Sequence, residues 1–122
     1  MNQGRLSVEF RNRTKKFASS VVRFFVQLPR EREEVRILGR QLLRSGTSVA
    51  AHVREASRAR SVDEFVSKLG GSLQEADESQ LWLELLEEDC GVRDGLLGSL
   101  HREAGELMAI LVTIINRTKG KS

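Results

Sequence analysis

Residues 36–58 carry Arg36, Arg40, Arg44, Arg54 and Arg58, with Thr47 and Ala51 continuing the same line between them. Steps of three or four residues bring side chains back to one face of an α-helix, so five guanidinium groups share a face. Arginine presents a planar fork of donors that grips phosphate oxygens in pairs, where lysine offers a point charge. The implied chemistry is contact with a nucleic-acid backbone, DNA or RNA, with affinity but little sequence preference. A weaker row on the preceding segment holds Arg13, Lys16, Arg23 and Arg30. The plainer reading is that both rows are solvated or paired with acids of a neighbouring helix.

No catalytic constellation accompanies them. His52 and His101 lie on different segments, and Cys90 sits near a helix end. The di-metal pattern of helical bundles needs glutamate three residues before histidine, and Val49 and Gly98 stand there instead. The expectation is therefore a non-catalytic protein with no metal site and no cofactor. Trp82 is the single tryptophan and tyrosine is absent, so aromatic platforms for single strands are not expected.

Four amphipathic segments must position these side chains. Phe10, Phe17, Val21, Phe24, Phe25 and Leu28 recur at helical spacing until Pro29 ends the run. Leu38, Leu42, Ser45, Val49, Val53 and Ala56 form a second continuous face. The third segment opens at "SVDE", where Ser61 can cap the backbone and Glu64 can reach back. It continues through Phe65, Leu69, Leu73, Ala76, Leu83 and Leu86 to a stop at Gly91. The fourth runs Leu97, Leu100, Ala104, Leu107, Leu111 and Ile114. Short connections favour antiparallel neighbours, which gives an all-α, up-down-up-down four-helix bundle. Residues 1–122 form one domain on this reading, with a short flexible N-terminus and a basic C-terminal tail, "RTKGKS".

Two segments depart from an ordinary amphipathic pattern. Gly39, Ser45, Gly46, Ser48, Ala50 and Ala51 leave the second helix narrow, and Gly70, Gly71 and Ser72 do the same for the third. An interior glycine costs about 1 kcal/mol relative to alanine, so close helix approach is the expected compensation, with a kink as the alternative. The fourth helix has apolar residues around most of its circumference. Leu107, Met108, Ile110, Leu111 and Ile114 are expected to reach a second subunit.

Charge is divided along the chain. Residues 1–30 hold seven basic side chains and one acid, whereas residues 61–90 hold Lys68 and nine acids. The acidic run includes Glu84, Glu87, Glu88 and Asp89 at a helix C-terminus, where the dipole opposes them. The lone cysteine, the lack of a signal-peptide core and the absence of a long apolar run point to the cytoplasm and away from membranes.

Thr47 to Leu86, "TSVAAHVREASRARSVDEFVSKLGGSLQEADESQLWLELL", resembles a bacterial four-helix-bundle family. That family includes proteins encoded in intervening sequences of large-subunit ribosomal RNA genes and is related to accessory proteins of diversity-generating retroelements. Ser48, Val49, Ala51, Val53, Glu55 and Ala56 carry the resemblance in the second helix. In the third helix it rests on Ser61, Phe65, Lys68, Leu69, Glu75, Ala76, Glu78, Ser79, Trp82 and Leu83. The resemblance implies a ring-like homopentamer and, for the retroelement relatives, binding of nucleic acid and a reverse transcriptase through a basic surface. His52 and Arg54 depart from it, standing where asparagine and an acidic residue are usual. The alternative is an assembly or scaffold protein whose charges serve only protein–protein contacts.

Overall fold

The computed structural model describes residues 6–120. Four helices follow in order: α1 (Val8–Val26), α2 (Glu33–Ser57), α3 (Val62–Glu88) and α4 (Gly95–Thr118). Three of them, α1, α3 and α4, start on a side-chain cap. Ser7 caps α1 by accepting from the Phe10 N–H at 3.0 Å, and Asp94 caps α4 through the Leu96 N–H at 2.9 Å. Ser61 caps α3 through the Glu64 N–H, as the "SVDE" pattern predicts. Glu64 reaches back one residue further than a capping box does, accepting from the Arg60 N–H at 2.7 Å. At the other end of α3, Gly91 adopts φ +71° and the Val92 N–H closes onto the Leu86 carbonyl. That left-handed turn is open to glycine at no steric cost, which is why α3 stops there.

Each helix packs on its sequence neighbours, and α1 closes the ring more loosely against α4. Contacts across three seams run in opposite directions along the two helices. Val21 lies on Gly46 while Leu28 lies on Gly39 across α1–α2, Arg44 meets Glu78 while Lys68 meets Glu55 across α2–α3, and Glu84 meets His101 while Gln80 lies beside Gly105 across α3–α4. The fold is the predicted four-helix bundle with alternating helix direction. Its core is the apolar series of each helix, including Phe17, Phe24, Leu42, Phe65, Leu83 and Leu107.

The small residues of α2 serve both of its seams. A Cβ added at Gly46 would lie 2.8 and 2.9 Å from the two methyl groups of Val21, so α1 rests on bare α2 backbone there. On the other side Ser45 and Ser79 hydroxyls meet at 2.8 Å, and the Ser72 hydroxyl donates to the Val49 carbonyl at 2.9 Å. All three serines are fully buried and hydrogen-bonded, which removes the desolvation cost of placing hydroxyls in a core. Gly70 differs from expectation, whereas Gly71 does not. No atom lies within 4 Å of a Cβ built on Gly70, so this glycine serves no close helix contact. Gly71 faces the His52 ring, its added Cβ 3.3 Å from Nε2.

The surplus apolar residues of α4 are largely absorbed within the chain. Leu107 and Leu111 have no accessible surface and so have nothing to offer a second subunit, which corrects the expectation for these two. Met108, Ile110, Ile114 and Ile115 are half-buried against the core, and Val112 stays exposed. Trp82 is also half-buried, with its indole nitrogen enclosed and without a hydrogen-bond partner among the described residues.

The two kinds of glycine predict opposite substitution effects. Gly46→Ala gains about 1 kcal/mol of helix propensity but drives a methyl into a β-branched neighbour with little freedom to turn. The expected net result is destabilisation of about 1–2 kcal/mol. Gly70→Ala meets no neighbour and is expected to stabilise by about 0.5–1 kcal/mol. Urea unfolding midpoints check both signs.

Candidate nucleic-acid interface

Helix geometry divides the basic side chains into two classes. Arg36, Arg40, Arg54 and Arg58 project from the outer edge of α2 on its α1 side; all four are exposed, with no ion-pair partner among the described residues. Arg44 sits a little further round and turns to α3. Its guanidinium lies 2.6 Å from Glu78 and 3.3 Å from Glu75. The hydrogen bond to Glu78 raises the Arg44 pKa still further above its already high value, so this cation is permanent and already neutralised. For Arg44 the plainer reading of the stripe holds.

The row predicted on α1 also divides. Arg13 forms a two-pronged pair with Glu103 of α4, at 2.7 and 2.8 Å, and reaches Glu106 at 2.6 Å. These bonds, led by Glu103, hold its pKa well above the usual arginine value. Lys16 lines the α1–α4 cleft beside Arg13, and Arg23 is exposed with a bond to Ser19. The three therefore belong to the α4 side of α1, away from the α2 stripe. Arg11 and Lys15, which the sequence row omitted, share a shallow cleft with Arg54. The missed signal is the helical period: residues 8, 11, 15, 22 and 26 of α1 fall on one line toward α2.

The assembled surface is thus the outer face of the α1–α2 seam. Arg11, Lys15, Arg54 and Arg58 mark one end; Arg30, Arg36 and Arg40 mark the other, where they surround an apolar cleft. Between them lie half-buried Leu43, Thr47 and Ala50 with exposed Ala51 and Val22. Arg40 and Arg54 are fourteen residues apart, roughly 21 Å along α2 at 1.5 Å per residue. That is the length of about six base steps at 3.4 Å. Exposed Glu33 and Glu55 stand three residues before Arg36 and Arg58 on the same helix.

The acids of α3 are spent elsewhere. Glu75 and Glu78 hold Arg44, and a Glu84 carboxylate oxygen lies 2.8 Å from His101 Nε2. Glu87, Glu88 and Asp89 remain exposed without ion pairs among the described residues. His52 Nδ1 meets Glu55 at 2.9 Å; this bond and the nearby Lys68 lower the Glu55 pKa. Cys90 is buried, and no group of three His, Cys, Asp or Glu among the described residues is placed to hold a metal ion. No helix among them is long and apolar enough to cross a membrane.

Four antiparallel helices packed around one core define the class, a small four-helix-bundle protein. Within that class, the model of the 23S rRNA-intervening sequence protein family matches residues 7–113. The chain belongs to that family. Among solved structures it is similar to a protein of unknown function from the S23 ribosomal protein family of Bacteroides thetaiotaomicron. The two share 33% identity over 87% of this chain and 97% of the other, with a TM-score of 0.79. No curated protein matches the chain.

The division of the arginines is checked by stability. Arg13→Gln and Arg44→Gln each remove an inter-helix pair and are expected to cost about 0.5–1 kcal/mol, less at high salt. Arg36→Gln and Arg54→Gln remove only repelling charge and should leave the unfolding midpoint unchanged or slightly raised. Chemical denaturation at two ionic strengths separates the groups.

Proposed function

We propose that this protein is a non-catalytic homo-oligomer that binds nucleic-acid backbones through the α1–α2 face, as an accessory to a nucleic-acid enzyme such as a reverse transcriptase. The observation that supports the reading is the contrast between paired and unpaired cations. Arg13 and Arg44 bind acids at the α1–α4 and α2–α3 seams, while Arg36, Arg40, Arg54 and Arg58 extend into solvent along one edge. Cations needed only to hold helices together would follow the first pattern. Exposed guanidinium groups in a row, with Arg11 and Lys15 beside them, are an electrostatic footprint for phosphates. An oligomer would repeat that footprint and multiply its avidity without new contacts. Leu81 and Val112 are exposed apolar side chains away from that face, available for assembly contacts together with the half-buried Met108, Ile110 and Ile114.

Two measurements test the reading. Affinity for a duplex of arbitrary sequence should fall steeply with salt, because each phosphate contact releases counterions. Arg40→Gln and Arg54→Gln should each flatten the logarithmic slope by about one unit, whereas Arg13→Gln and Arg44→Gln should leave it alone. A slope indifferent to Arg40 and Arg54 rejects the face. Light scattering should give a mass several times the 13.7 kDa of one chain, about five times on the pentamer expectation that the family resemblance carries. A monomer at micromolar concentration rejects the assembly.

A further inference from the structure

The basic face is not uniform. At the turn from α1 to α2 it opens into a cleft of about 340 Å³, at the lower end of the roughly 300–1,000 Å³ typical of small-molecule pockets. Phe25, Val26, Leu28 and Pro29 give it an apolar wall. The remaining lining residues are Arg30, Arg36 and Arg40, with no acid among them. Gly39 sets this wall deep. A Cβ there would stand 2.7 Å from the Leu28 Cδ1 and 3.4 Å from the Phe25 Cδ1, so both side chains lie directly on α2 backbone. Val26, meanwhile, is left 58% exposed.

The phosphate oxygens through which a duplex backbone is mainly held give an apolar wall no partner. A ligand that satisfies both halves needs a flat apolar surface joined to an anion. We propose that this cleft seats one unpaired nucleotide, its base against Phe25, Val26 and Pro29 and its phosphate among Arg30, Arg36 and Arg40. The proposal rests on reading the α1–α2 face as a nucleic-acid surface and adds what that surface prefers. Splayed bases are commonly held by aromatic side chains and by the planes of guanidinium groups, and both lie here within one cleft. Its position favours a nucleotide within a longer strand over a free one. The Arg11, Lys15, Arg54 and Arg58 group lies beyond Arg40 along the same edge, in reach of the flanking duplex. The ligand class is therefore a structured nucleic acid with a bulge, loop or frayed end. The sequence pointed away from base stacking because it weighed tyrosine and tryptophan; Phe25, with Pro29 and the arginines around it, is the group that composition concealed.

The test uses the full chain and two duplexes that differ by one unpaired 2-aminopurine. Anisotropy titrations at fixed salt should show the bulged duplex binding about tenfold tighter, the scale of one stacked base, with a change in 2-aminopurine emission on binding. Val26→Gln alters an exposed wall residue without changing charge. It should abolish the preference, leave affinity for the paired duplex unchanged, and preserve helicity by circular dichroism. Equal affinity of the native chain for both duplexes overturns the cleft proposal while leaving the phosphate-binding face standing. A preference that persists in Val26→Gln places the base elsewhere and overturns it as well. Failure to bind either duplex rejects the face itself, and the cleft with it.

Discussion

The approach of α1 and α3 to the bare side of α2 is the constraint from which the remaining geometry follows. At Gly46 the Val21 methyl groups occupy the space a Cβ would need, and at Ser45 and Ser72 hydroxyls take the place of larger side chains. Close packing of this kind fixes rotation as well as distance, because van der Waals contact falls away within a fraction of an ångström. The buried serine bonds add direction, since an unpaired hydroxyl in the core would cost about 1–3 kcal/mol. Helix α2 therefore has one permitted orientation in the bundle.

That orientation decides what each charge can do. With Gly39 and Gly46 turned toward α1, the positions about a quarter turn further round, Arg36, Arg40, Arg54 and Arg58, must line the outer edge of the same seam. Arg44 lies beyond that edge and falls within reach of Glu75 and Glu78. The acidic third quarter of the chain is thus divided between ties to α2, the Glu84–His101 contact with α4 and an exposed C-terminal group. None of those ties draws on the four outer arginines. The four outer arginines therefore keep no ion-pair partner among the described residues, while the acids that hold Arg44 lie across the α2–α3 seam.

How much of this was legible in the sequence depends on the kind of interaction. Helix number, the Ser61 cap, the Gly91 stop and most of the core follow from periodicity and local backbone rules, which act within a few residues. The α2 stripe was legible for the same reason. What periodicity does not carry is the partner across a seam. Nothing local to Arg13 announces Glu103, ninety residues away, and nothing local to Arg44 distinguishes it from Arg40. The same limit explains the rest. Leu107 and Leu111 belong to the chain's own core, Gly70 is not at a close contact, and Lys15 lies with Arg54 while Lys16 faces α4.

The coincidence of close packing and exposed charge on one helix also bears on why α2 tolerates interior glycines. A larger residue at Gly39 would push Leu28 and Phe25 outward, since its Cβ alone would meet both. Those two side chains form part of the cleft that Arg36 and Arg40 border. A change that relieved the propensity penalty of the glycine would therefore act on the arginine surface one turn away. A side chain at position 39 would thus disturb the helix approach and the cleft wall together, because Leu28 and Phe25 take part in both.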